Sequence, residues 1–257
     1  MNLPFTAYGK ALCARDRLRA HIAARVADVG GERAGTVLGA VSSARGPAGK
    51  QLTGEELEIE LLHFYFAAHA GLTAVLAWLL VVLGERPDLA GRIRDEADAV
   101  LSDGTPTLAE IRQLSLARAG SREVLRTYPI VPFTLFGVAK RDVEVDGYRT
   151  EAGWKGAGAI WATLQDGSTF TDPPTFHAER LGDESFAALP ENAHVTMGGG
   201  AHRCAGAALV QLLMPAFLAW FARRYDWEYP AQDATPSGQG IGPLPRSLVR
   251  GTVTPRS

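Results

Sequence analysis

The chain has 257 residues, is 46% hydrophobic and 21% charged, and carries a net charge of −2. These values suit a folded chain with one large core or two small ones, and they give no reason to expect nucleic acid or an anionic membrane as partner. Two cysteines, Cys13 and Cys204, make no disulfide framework, and MNLPFTAYGK lacks the apolar stretch of a secretory signal, so a cytoplasmic chain is the default expectation.

From about Thr6 to Val29, Leu12, Leu18, His21, Ile22, Val26 and Val29 recur at roughly helical spacing with Arg and Lys between them. This predicts an amphipathic helix closed by Gly30 and Gly31. Thr36 to Ala44 predicts a shorter helix, followed by a loop at Gly46, Pro47 and Gly49. Thr53 and Glu56 form a capping-box pattern that opens the longest predicted helix, 54–84. From Leu61 to Gly84 there is no Asp, Glu, Lys or Arg. That stretch satisfies the length of a membrane span, and it equally suits the central helix of a soluble core. His63, His69, the small residues Ala67, Ala68, Ala70 and Gly71, and acidic flanks speak against the span.

Pro87 starts the next predicted helix, which runs to about Leu101 before Asp103, Gly104 and Pro106 break it. Thr107 and Glu110 form another capping box. The helical stretch that follows carries Glu123 and Arg126, three apart on one face. Taken alone, the pair reads as a solvated ion pair worth little. After Pro129, Val131, Phe133, Leu135 and Val138 predict a strand; Val143, Val145, the Asp146–Gly147 turn and Tyr148 predict a hairpin. Gly153 to Thr163 predicts a strand or turn entering a short helix.

The string MGGGAHRCAG, Met197 to Gly206, precedes an apolar run at helical spacing that ends near Arg224. A glycine-rich turn thus leads into a buried helix, with the sulfur of Cys204 at its start. A thiolate there gains from the positive end of the helix dipole and from unpaired backbone N–H groups. From the residues alone, a buried structural cysteine after a flexible turn is the plain alternative.

This string resembles the haem-binding loop of the cytochrome P-450 (haem-thiolate) family. The resemblance implies haem b (iron protoporphyrin IX) as cofactor, with Cys204 as the axial iron ligand and the thiolate pushing electron density onto the iron. It implies that His202 reaches a haem propionate, that Gly198, Gly200 and Gly206 are glycines of the haem loop, and that Met197 stands where a Phe usually shields the sulfur. Glu123 and Arg126 resemble the family's signature Glu-x-x-Arg. Phe176 and Arg180, in TDPPTFHAERL, resemble the segment whose Arg completes a buried structural triad with that pair. Val131 and Phe133 are the implied pocket-lining residues. The usual propionate-binding Arg falls at Gly137 and is missing; Lys140 and Arg141 lie close but out of register.

The long apolar helix resembles the one that crosses the distal face of the haem, which favours the core reading and puts Ala67, Ala68 and Gly71 toward the cofactor. The family's acid–alcohol pair begins eight residues before a Trp and seventeen before a Pro. Trp78 and Pro87 both put that pair at Ala70 and Gly71, so both functional side chains are absent. Thr73 lies two residues on, about 200° around the helix, and does not substitute.

The implied fold is mainly α with small β hairpins, the C-terminal haem-binding portion of the cytochrome P-450 fold. As one domain it would run over 1–257, with 1–128 mainly helical, 129–190 strands and short helices, 191–224 the haem loop and proximal helix, and 225–257 an irregular tail with a final strand or hairpin. The resemblance begins near residue 5, where the family is already past its middle, so a truncated chain without the N-terminal region is expected. The expected activity is a monooxygenase- or peroxygenase-like oxidoreductase acting on a small apolar molecule, with dioxygen use impaired by Ala70 and Gly71. The alternatives are a non-catalytic or accessory member that binds haem or a partner chain, and a membrane-spanning protein through 61–84. A homodimer or partner chain is expected to cover the exposed haem side, against Phe64, Leu76 and Trp78. The redox partner is left open, and neither nucleic acid nor a membrane is expected as partner.

Overall fold

The computed structural model describes residues 3–27, 35–46, 49–238 and 242–256. The predicted helix end at Val29, Gly30 and Gly31, and Pro47 of the predicted loop, lie outside them. The chain forms two compact units, residues 1–70 and 71–257.

The first unit holds α1 (Ala7–Ala27), α2 (Val37–Ser43) and the opening turns of α3 (Gly54–Glu85). Gly9 sits so close to the chain before it that a Cβ would lie 1.9 Å from the Leu3 carbonyl oxygen. The predicted capping box forms: Thr53 N–H donates to Glu56 Oε2 at 2.8 Å and Glu56 N–H to Thr53 Oγ1 at 3.3 Å. Ile22, Leu57 and Leu61 make a small core, with Leu18, Val26, Leu38 and Val41 packed around it. Arg19 reaches Glu58 at 3.4 Å.

The second unit begins with the remainder of α3. It continues through α4 (Pro87–Val100), α5 (Leu108–Gln113), α6 (Ser115–Thr127), α7 (Ile160–Leu164), α8 (Asp183–Ala187) and α9 (Ala207–Arg224). Its core joins Leu79, Val81 and Val82 of α3, Ile93 and Ala97 of α4, Val124 of α6, and Met214 and Leu218 of α9. The apolar run of α9 is buried chiefly against α4 and α6. Arg94 donates to the Ala222 carbonyl at 2.9 Å, and Arg223 to the Leu101 carbonyl at 3.0 Å, tying helix ends together.

α3 is long and apolar enough to cross a membrane, yet 39% of its most apolar 18 residues are buried within the fold. The later turns are core. Trp78 was expected among the exposed residues and is instead fully buried, stacked on Tyr128 at 3.9 Å, with its indole N–H on the Pro243 carbonyl at 2.8 Å. Leu76, also expected to be exposed, is partly buried against the same core. Phe64 remains exposed.

The strands form three two-stranded antiparallel pairs: β1 (Gly137–Val138) with β4 (Lys155–Gly156), β2 (Val143–Val145) with β3 (Tyr148–Thr150), and β5 (Tyr225–Glu228) with β6 (Thr252–Pro255). The Asp146–Gly147 turn forms as expected, both residues at positive φ, 48° and 76°. The strand predicted over Val131, Phe133, Leu135 and Val138 shrinks to Gly137–Val138. Pro132 has no ladder donor, and only scattered bonds hold the segment to 154–158, such as Thr134 N–H to the Gly158 carbonyl at 2.9 Å. The mainly helical fold with small sheets is the one expected from the sequence.

Candidate cysteine-loop site

α6 supplies the foundation. Glu123 and Arg126 are both fully buried, so each charge needs partners at hand. Arg126 donates from Nε to Glu123 Oε2 and from Nη2 to Oε1, each at 2.8 Å. Arg180 Nε donates to the same Oε1 at 2.9 Å, and the His177 backbone N–H at 3.1 Å. The other guanidinium donors end on carbonyls: Arg126 Nη1 on Leu164 at 2.9 Å, Arg180 Nη2 on Thr175 at 2.8 Å and on Asp172 at 3.1 Å, and Arg180 Nη1 on Thr171. The Arg126 guanidinium also lies 5.4 Å over the ring of Phe170. The pair that reads locally as a surface ion pair is therefore an internal hub. It pins 164–180 to α6.

The hub reaches the cysteine loop by two routes. Leu164 ends α7, and the single helical turn Val195–Met197 packs on α7. His194, just before that turn, places Nε2 3.1 Å from the Arg122 carbonyl oxygen of α6 and its ring edge-on to Phe186 of α8, centroids 5.2 Å apart. The residue patterns missed His194 and Arg122; a lone His between Ala193 and Val195 carries no spacing signal.

The loop then turns on glycines. Gly198 and Gly200 have φ of 68° and 57°, a region that L side chains rarely adopt. A Cβ on Gly199 would lie 3.1 Å from Asn192 Oδ1. Cys204 N–H closes the loop on the Met197 carbonyl at 2.8 Å, and Gly206 caps α9. A Cβ on Gly206 would touch the Cys204 sulfur at 3.7 Å. Among the described residues, the N–H groups of Ala205, Gly206, Ala208 and Leu209 have no protein acceptor. They gather where the positive end of α9 stands beside the sulfur. Cys204 and His202 are exposed, while Met197 is partly buried against the core.

The structure thus brings together Met197, Gly198, Gly200, His202, Cys204 and Gly206 in one loop, and Glu123, Arg126 and Arg180 in one network. Val131 and Phe133 are exposed on the segment after α6. Gly71 is partly buried, and a Cβ there would meet no atom within 4 Å. In the first unit, Ala67 and Ala68 are exposed on α3 and Ala70 is partly buried. No group of three or more His, Cys, Asp or Glu able to hold a metal ion occurs among the described residues. An open cleft of about 460 Å³ beside Arg180, lined by Phe170, Asp172 and His177, contains no residue of the cysteine loop.

The model of the family described as Cytochrome P450 matches residues 36–246. The chain is 29% identical over 192 residues to the steroid 17-alpha-hydroxylase/17,20 lyase of Ictalurus punctatus, covering 74% of this chain and 37% of that protein. It is 30% identical over 258 residues to the putative cytochrome P450 120 of Synechocystis sp., covering 96% of this chain and 56% of that protein. Among solved structures it matches the retinoic acid bound cyanobacterial CYP120A1 with a TM-score of 0.87 and 27% identity, over 100% of this chain and 59% of that one. The chain therefore spans about half the length of the relatives it matches. A buried Glu-x-x-Arg hub beneath a glycine loop that offers one cysteine, together with a family match over most of its length, places this chain in the cytochrome P450 family.

Proposed function

We propose that this chain is the haem-holding part of a monooxygenase- or peroxygenase-type oxidoreductase, with Cys204 as the thiolate ligand of haem b. The observation that carries the reading is the presentation of Cys204: an exposed sulfur at the start of α9, on a loop braced against the Glu123–Arg126–Arg180 hub. The residues fit the group. A single sulfur faces open space, glycine at 206 keeps a side chain off it, and His202 stands exposed two residues away for a propionate. Bound there, haem supplies iron redox chemistry that no side chain of this chain has.

The chain's own residues do the rest. Cys204 would hold the group through its sulfur and donate electron density to it from the start of α9. Met197 packs from the core side of the loop. Val131 and Phe133 offer apolar surface for a substrate. A small apolar substrate is supported by two relatives' names: the catfish protein is a steroid hydroxylase and the cyanobacterial one is retinoic acid bound. Ala70 carries no acid and Gly71 no hydroxyl, so neither side chain delivers a proton where the family's acid–alcohol pair does. Relays of that kind are worth about 10²–10⁴-fold, which favours hydrogen peroxide over dioxygen with reductase proteins.

The test compares product formed with hydrogen peroxide and with dioxygen plus surrogate reductases. The unmodified chain is expected to work better with peroxide, and Ala70→Asp with Gly71→Thr to shift the balance toward dioxygen. Efficient reductase-coupled oxidation by the unmodified chain, with little peroxide released, contradicts the reading.

A second reading, that the chain acts only when covered by a partner chain or a second copy, is favoured by one observation. Phe133, Leu135, Phe136 and Val138 lie exposed in succession.

A further inference from the structure

We infer that Arg122 is a positioning residue for the cysteine loop: its side chain and its carbonyl close the span 181–194 at both ends, and so set where the Val195–Met197 turn begins. The span has little else to hold it. Of residues 181–194, only Leu181 and Ala193, near the two ends, are buried. Most side chains between them are exposed, those of α8 included. A segment of that kind gains little from apolar burial, so its polar contacts decide where it lies.

Arg122 supplies those contacts at three points. At the start of the span, Arg122 Nη1 donates to the Leu181 carbonyl at 2.8 Å. In the middle, the guanidinium lies 4.2 Å over the ring of Phe186. At the end, His194 Nε2 donates to the Arg122 carbonyl at 3.1 Å, and the His194 ring meets Phe186 edge-on, centroids 5.2 Å apart. Phe186 therefore contacts both the guanidinium and the imidazole. Glu123 does the same for the stretch just before, taking the His177 N–H and Arg180 Nε. Adjacent residues of α6 thus hold consecutive pieces of chain: 177–180 on Glu123 and 181–194 on Arg122. From His194 one short turn leads on. Gly198 N–H closes it on the Val195 carbonyl at 2.9 Å, and Cys204 N–H returns to the Met197 carbonyl at 2.8 Å. α7 packs on the same turn, so the loop is loosened, not unfolded, when Arg122 is lost. Asp183 adds an ion pair to Arg122 at 2.9 Å, but it is exposed and shared with Arg118 at 3.1 Å, so it contributes little.

The consequence for haem rests on Cys204 being the ligand; the closure itself does not, and its test uses the full chain without haem. Amide hydrogen exchange is read at Gly198 and Cys204 in the loop and at Leu218 and Ala219 in the buried part of α9. Arg122→Gln is expected to lower protection at Gly198 and Cys204 about tenfold, the scale of one hydrogen bond, and to leave Leu218 and Ala219 unchanged. Phe186→Leu, which removes the ring and keeps the ion pair, is expected to do the same. Asp183→Asn, which removes only the ion pair, is expected to change none of the four. Unchanged protection at Gly198 and Cys204 in Arg122→Gln overturns the inference. So does an equal loss at Leu218 and Ala219, the mark of a merely structural role, or a loss in Asp183→Asn as large as that in Arg122→Gln. If Arg122→Gln fails to fold by circular dichroism, Phe186→Leu decides in its place. Failure of Cys204 to ligate iron is read separately, from the absorption spectrum after haem addition, and leaves these exchange rates unchanged.

Discussion

Glu123 Oε1 accepts from Arg126, Arg180 and the His177 backbone at once, while Oε2 accepts from Arg126. Removing the carboxylate strands two guanidinium groups, one of them fully buried. Glu123→Ala is therefore expected to cost on the order of 3–5 kcal/mol, measured by urea denaturation; an unchanged midpoint contradicts a structural role for the hub. The spacing of Glu123 and Arg126 was legible as one helical face, but its burial was not. Periodicity ranks a charged pair as solvent-facing, and only resemblance argued otherwise. The partners that decide the matter, the carbonyls of Leu164 and Thr175 and the ring of Phe170, lie about 40 or more residues on and leave no local trace.

Elements with strong local chemistry were the most legible. Both capping boxes form, at Thr53–Glu56 and at Thr107–Glu110, and α9 ends at Arg224 as its apolar run implies. The Thr107 hydroxyl, then Ser102, hold the Glu110 carboxyl down to about 2 from 4.5. A depressed carboxyl contributes stability that is present above 4.5 and lost as pH falls through about 2. Glu110 is only partly buried, so the effect is screened and modest. Glu110→Gln should flatten the acid limb of melting temperature within that window; an acid limb equal to that of the unmodified chain contradicts the cap. Less legible was the orientation of α3, whose run from Leu61 to Gly84 is apolar on every face. Its pattern could not say that Trp78 stacks on Tyr128, a contact set by tertiary packing. The strand predicted near Val131 failed for a related reason. Its β propensity is real, but Pro132 and pairing through isolated bonds left only Gly137–Val138 as ladder.

At the scale of the whole molecule, the segment after α6 is the least finished surface. Leu135 is 95% exposed and Phe136 68%, with Trp154 and Trp161 exposed nearby in sequence order. β1 is bonded to β4 along one edge, and its other edge has no strand partner among the described residues. Apolar surface beside an open strand edge promotes association. Light scattering of the isolated chain should show mass rising with concentration, and Leu135→Lys with Phe136→Ser should reduce it. A monodisperse monomer at every concentration contradicts this. The turn and helix start of the cysteine loop were legible, because glycine conformations and a helix start are local features, but the exposure of Cys204 was not, since from the residues alone a buried structural cysteine was the plain alternative. Nor was the loop's bracing by α7 and His194.

The central claim is that Cys204 holds haem as a thiolate. Its most direct test is the absorption spectrum of the full chain with added haem, reduced under carbon monoxide, for the unmodified protein, Cys204→Ala and Cys13→Ala. The expected result is a thiolate-type Soret band in the unmodified protein and in Cys13→Ala, and its loss in Cys204→Ala. The same spectrum for both cysteine variants would contradict the claim.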